Sequence, residues 1–174
     1  ERCQDANGNG YVGGVPNGTQ IWSEVGKGNF GPLHGAWVPW YNVHKMFAGL
    51  RDAWQYAGID EAKEMFLKFC DWALDITKDL TDGQMDQMVS QEFGGMDEVL
   101  ADAFAITGDR KYMTAAKRFA HHLILDSMAE GVDNLDNKHA NTQVPKVVGY
   151  ARIADLDDDD TFKDAAEFFW DRVA

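Results

Sequence analysis

Asp109-Arg110-Lys111-Tyr112, followed by Ala115-Ala116-Lys117-Arg118-Phe119, returns fifty residues later as Asp159-Asp160-Thr161-Phe162 and Ala165-Ala166-Glu167-Phe168-Phe169. Phe119 also falls on Phe69, and Tyr56-Ala57-Gly58 falls on Ile106-Thr107-Gly108, at the same offset. Matches in register over three units mark a repeat architecture. Each unit reads as two helices. In the first, 41–57 carries Val43, Met46, Phe47, Leu50 and Trp54 at helical spacing and stops at Gly58. A second helix, 61–80, holds Met65, Phe66, Phe69, Trp72, Ala73 and Ile76 on one face. In the next unit, 97–107 ends at Gly108, and Asp109 caps one helix from 111 to about 128, striped by Tyr112, Ala115, Phe119, His122 and Leu123. The third unit spans 142–156, with Pro145 in the first turn, then 160 to the end.

The fold class is therefore all-α, built from αα-hairpins that either stack as a solenoid or close into a toroid. Residues 40–174 hold three such hairpins, and residues 1–39 read as a long loop-rich segment with at most one short strand near Tyr11. In a toroid the inner helices all start at one rim. The repeat places His44, Glu92, Asp97, Glu98, His139, Asn141 and Gln143 near equivalent helix starts, a site-like concentration of polar groups. Three hairpins cannot close a six-hairpin ring, which at this repeat length needs roughly 300 residues. With a first residue of Glu1 and no terminal cap at Ala174, the 174 residues are expected to be part of a longer chain.

Composition narrows the function. The net charge is −13 with a pI near 4.6, which disfavours nucleic acid and anionic membranes as partners. The run Asp157-Asp158-Asp159-Asp160 reads as a solvated helix cap. No apolar run reaches transmembrane length, and the first residues are no signal peptide. Cys3 and Cys70 match no metal-ligand spacing, and Cys70 sits on an apolar helical stripe as an inert buried thiol. No Ser/His/Asp order, phosphate loop or zinc spacing is present.

What remains suits a sugar. Aromatics make up 12% of the chain, with six Trp, and they gather beside Gly- and Asn-rich loops. Aromatic planes stack on sugar CH faces while loop groups bind hydroxyls. Trp40 and Tyr41, next to His44, fit that role; Trp22 and Trp37 could equally pin the long segment to the helices. Asn7-Gly8-Asn9-Gly10 lacks the acidic run of a calcium loop. Glu92-Phe93-Gly94-Gly95-Met96-Asp97-Glu98 sets carboxylates at a helix start, where they favour the dipole. A carboxylate pair can also supply acid and base to a glycosidic bond, so Asp97 and Glu98 are catalytic candidates. His139, Asn141 and Gln143 alternate neutral hydrogen-bonding groups, a pattern suited to polyols. His121 and His122 read as mid-helix packing and surface residues.

These motifs resemble glycoside hydrolase family 127 and its sister family 146, which include β-L-arabinofuranosidases. The resembling stretches are Gly10 to Pro16, Val38 to Lys45, Glu92 to Asp102 and His139 to Tyr150. Asp97 replaces the usual Asn of the glycine-glycine-methionine stretch. The resemblance implies an (α/α)6 barrel followed by β domains, and a periplasmic or secreted setting. It also implies retaining hydrolysis of plant-derived arabinose glycans by a zinc-bound cysteine nucleophile and a glutamate acid/base. Those groups lie further along in the family, so no nucleophile and no metal ligand is assigned here; zinc is expected only of a longer enzyme. By position His44, Trp40, Tyr41, Glu92, Asp97, Glu98, His139, Asn141, Gln143 and Tyr150 resemble the part that holds the sugar, an oligosaccharide or arabinoside.

Two other readings stay open: a non-catalytic helical-repeat carbohydrate-binding module, and another six-hairpin glycosidase such as an unsaturated-uronide hydrolase. The latter needs cations for a substrate carboxylate, and the rim offers little beyond Lys45 and Lys146. An incomplete ring would expose apolar helix faces, which leaves a homo-oligomer open as well.

Overall fold

The computed structural model describes residues 1–91 and 94–174, without the side chain of His34. The elements in chain order are α1 (Arg2–Asn7), α2 (Gly18–Gly26), α3 (Gly31–Gly35), α4 (Pro39–Gln55), α5 (Asp60–Thr77), α6 (Asp82–Gln91), α7 (Met96–Thr107), α8 (Arg110–Arg118), α9 (His122–Ala129), α10 (Ala140–Asp157) and α11 (Asp160–Val173). No strand occurs among the described residues, and no helix there is long and apolar enough to cross a membrane. The helices group into two compact units, Glu1–Gln84 and Met85–Ala174.

The first unit is built on the α4–α5 hairpin. Pro39 opens α4, and Trp40, Val43, His44 and Phe47 recur at the spacing that buries one helical face. The turn to α5 needs a left-handed residue, supplied by Gly58 at φ +69°. Its N–H and that of Ile59 turn back to the carbonyls of Trp54 and Ala53. Asp60 and Glu61 then favour the first turn of α5. In the core, Phe47 and Phe69 stack with ring centres 3.8 Å apart.

The segment 1–39, expected to be loop-rich, instead carries α1, α2 and α3. They are short and rich in Gly and Asn, so propensity alone cannot announce them; tertiary contacts hold them. Gln4 Nε2 donates to the carbonyls of Gly10 (2.7 Å) and Met65 (2.9 Å), tying the segment to α5. Tyr11 stacks on Trp72 at 4.8 Å. A Cβ at Gly10 would collide with the Lys68 carbonyl, so only glycine allows this approach.

In the second unit, α7 and α8 form one hairpin and α10 and α11 the next, with α10 packed on α7 and α11 on α9. Equivalent caps start the returning helices: Asp109 accepts from Lys111 N, and Asp159 from Thr161 N and Phe162 N. Arg152 Nε reaches Asp102 Oδ1, its counterpart one repeat earlier, at 2.8 Å. Of the acidic run, Asp157 pairs with Arg110 and Lys117, and Asp159 with Lys117.

The single helix expected over 111–128 is broken. Phe119 and Ala120 leave the helix, and His121 adopts a left-handed φ of +54° before α9 begins. The break is stabilised from outside: Asp86 Oδ1 accepts His122 N at 2.7 Å, and Lys146 engages the His121 ring. α6 was not legible either, and α10 begins at Ala140, which puts Pro145 in its second turn rather than its first.

Candidate functional site

Five buried polar side chains gather in the second unit, between α7, α10 and the α8–α9 break. Asp97, on α7, is 1% exposed, and Lys146, on α10, is 3% exposed. Gln143 and Tyr150 join Lys146 on the buried face of α10, and His121 meets them from the break. Lys146 Nζ lies 2.6 Å from His121 Nδ1 and 3.1 Å from Gln143 Oε1. The Tyr150 hydroxyl donates to the His121 carbonyl at 3.5 Å. Gln143 Nε2 donates to Thr142 Oγ1 at 2.6 Å, and that hydroxyl donates to the His139 carbonyl at 2.7 Å.

Protonation states follow from burial. Burial pushes the Asp97 carboxyl well above the usual carboxylate range, against the pull of the Glu98 N–H and the Lys146 charge. Burial lowers Lys146 to about 8, with Asp97 opposing the drop. The His121 imidazole is lowered to about 3, first by burial and then by Lys146. An ammonium can only donate, so His121 Nδ1 accepts and its proton sits on Nε2. Tyr150 is raised by burial and then by Asp97.

The two catalytic candidates occupy different settings. Asp97 is closed between α7 and α10, its Oδ1 accepting the Glu98 N–H at 3.0 Å, so it has no access to a substrate in this arrangement. Glu98 is half-buried beside it. His139 and Asn141 are exposed at the start of α10, within one turn of the buried Gln143. Glu92 lies outside the described residues.

His44, Trp40 and Tyr41 belong to the first unit. His44 is buried on α4, and neither ring nitrogen meets a hydrogen-bond partner among the described residues. Burial, then Lys45 and Arg51, lowers it to about 4, so it is neutral at physiological pH. Trp40 corrects the expectation of a stacking platform. It is 2% exposed, with Trp22 and Trp72 against it at 4.7 and 5.8 Å, so its ring is core. Trp22 is core for the same reason, whereas Trp37 is 83% exposed. Tyr41 is half-buried, with Lys45 Nζ 4.7 Å from its ring centre.

Lys146 and His121 are the participants that sequence reasoning passed over as site residues. A signal existed for Lys146: it shares a three-to-four-residue stripe with Gln143, Tyr150 and Ile153. For His121 none existed, because the helix break depends on Asp86 and Lys146.

The family model for the beta-L-arabinofuranosidase GH127 catalytic domain matches residues 1–174. The chain belongs to this family. A search of curated proteins gives no match. Membership places the chain in a family of glycoside hydrolases, and helical hairpins such as these are the building unit of the GH127 (α/α)6 barrel. The zinc that the family implies finds no fit among the described residues. No three His, Cys, Asp or Glu side chains there gather to hold a metal; Cys3 is exposed and Cys70 is buried in the first unit.

Proposed function

We propose that this chain supplies the sugar-holding part of a GH127 enzyme that removes β-L-arabinofuranosyl groups from plant-derived glycans with retention. The nucleophile and its zinc come from outside these residues, so the 174 residues alone are expected to bind sugar without hydrolysing it. The observation that carries the reading is the family match along the whole chain. The chemistry of the second unit supports it: neutral hydrogen-bonding groups at the start of α10 are anchored on a buried polar cluster. Such groups suit hydroxyls. A uronide substrate is disfavoured, because the Lys146 charge is buried and already engaged with His121 and Gln143.

The test pairs two measurements on the same preparation: titration with L-arabinose, and release of nitrophenol from p-nitrophenyl β-L-arabinofuranoside. Binding without release is expected. Release by these residues alone would overturn the absent nucleophile, and failure to bind would overturn the sugar-holding role.

A further inference from the structure

Lys146 is an amine where the periodicity of α10 asks for an apolar residue. It lies on the buried face with Gln143, Val147, Tyr150 and Ile153. An ammonium has donors and no acceptor, so the Gln143 amide can face Lys146 only with its oxygen. The Nζ to Oε1 contact of 3.1 Å is that arrangement, and the 2.6 Å contact with His121 Nδ1 holds the ammonium from a second side. The nitrogen edge of the amide is thereby turned away from Lys146. Nε2 donates to Thr142 Oγ1, which donates to the His139 carbonyl. Donation thus runs one way, from a buried ammonium to the start of the helix, and each link polarises the next. The amide nitrogen carries two hydrogens and Thr142 takes one. The other has no acceptor among the described residues and lies in the same turn as the exposed Asn141.

We infer that Lys146 is a positioning residue: by fixing the Gln143 amide it makes the start of α10 a hydrogen-bond donor that reads a neutral sugar oxygen. The inference rests on the sugar-holding reading above. An inverted amide would present oxygen at that point and would favour a donor such as the ammonium of an amino sugar.

A double-mutant cycle tests it, because a residue that acts through another loses its effect when that other is gone. Lys146→Met is expected to weaken L-arabinose binding about tenfold in the wild-type background, the size of one oriented hydrogen bond, and less than about twofold in a Gln143→Leu background. Additive effects, or no effect of Lys146→Met, would overturn the inference. Gln143→Glu covers the case in which Lys146→Met does not fold. Its carboxylate keeps a partner for Lys146 while removing the donor, so the fold is retained and affinity falls about tenfold. Unchanged affinity there overturns the inference too.

If the wild-type chain binds no L-arabinose, the sugar-holding reading fails by itself, and side-chain amide NMR of the free protein still decides the positioning. The Gln143 NH2 pair is expected to exchange slowly in the wild type and faster in Lys146→Met. Equal exchange rates would mean that Lys146 does not hold the amide.

Discussion

Gly149 on α10 lies against the carboxyl of Asp97 on α7, so closely that a methyl group at residue 149 would overlap that carboxyl. The contact brings two helices together at the buried polar cluster, and it explains a glycine in mid-helix, where one ordinarily costs stability. Gly149→Ala is expected to destabilise the chain by about 1–3 kcal/mol, the usual range for overpacking a tight interface. Urea unfolding measures it. Asp97→Ala in the same chain should recover part of the loss, since it removes the atoms the new methyl would strike. Equal midpoints for Gly149→Ala and wild type would mean the approach is looser than the geometry implies.

The same carboxyl predicts a pH dependence. Burial raises its pKa above the unfolded value of 3.8, so above that pH the unfolded chain releases a proton that the folded chain still holds. The Asp97 contribution therefore becomes less favourable as pH rises from the ordinary carboxylate range. Asp97→Asn removes this component. Its stability relative to wild type should increase between pH 4 and pH 7, read as a growing difference in urea midpoints. A difference that stays constant over that range would show an ordinary carboxylate.

The hairpins were legible because their stops and starts are local: Gly58 and Gly108 end helices, and Asp109 and Asp159 begin them. The break at His121 was not, because its causes are Asp86 and Lys146, far away in sequence. The helices of the first 39 residues are not legible for a related reason, since Gln4 and Tyr11 hold that segment through contacts with α5. At the site, residue types and helix starts pointed to Gln143, His139 and Asn141. Sequence could not show that Trp40 turns inward, because an aromatic beside a loop has the same signature whether its ring faces solvent or other tryptophans.

His44 makes the first unit sensitive to acid. Its pKa is lowered to about 4 in the folded chain, against 6.5 unfolded, so below pH 6.5 the unfolded state takes up a proton that the folded state refuses. Stability is lost as pH falls through that window, by about 3 kcal/mol at its lower end. His44→Phe should abolish this loss. The check is the urea midpoint at pH 7.0, 5.5 and 4.5 for the two chains, with the variant expected to fall less. Parallel decline would mean that His44 gains a proton without unfolding.

Trp40 and Trp37 should separate stability from recognition. Trp40→Ala opens a cavity among Trp22, Trp72 and their neighbours and is expected to cost about 3–5 kcal/mol. Trp37 contributes almost nothing to the core and sits at φ +45°, followed by Val38 at +51°, both strained for residues with a Cβ. Trp37→Ala should leave stability within about 0.5 kcal/mol of wild type, as exposed positions usually do. Trp37→Gly should raise it by up to about 1 kcal/mol, because glycine adopts that φ without strain. An indole this exposed can stack on a sugar CH face. Both variants should therefore weaken binding of an arabino-oligosaccharide while melting at or above the wild-type temperature. If affinity is unchanged in both, the exposed indole stacks on no sugar, and the strained turn serves only to start α4.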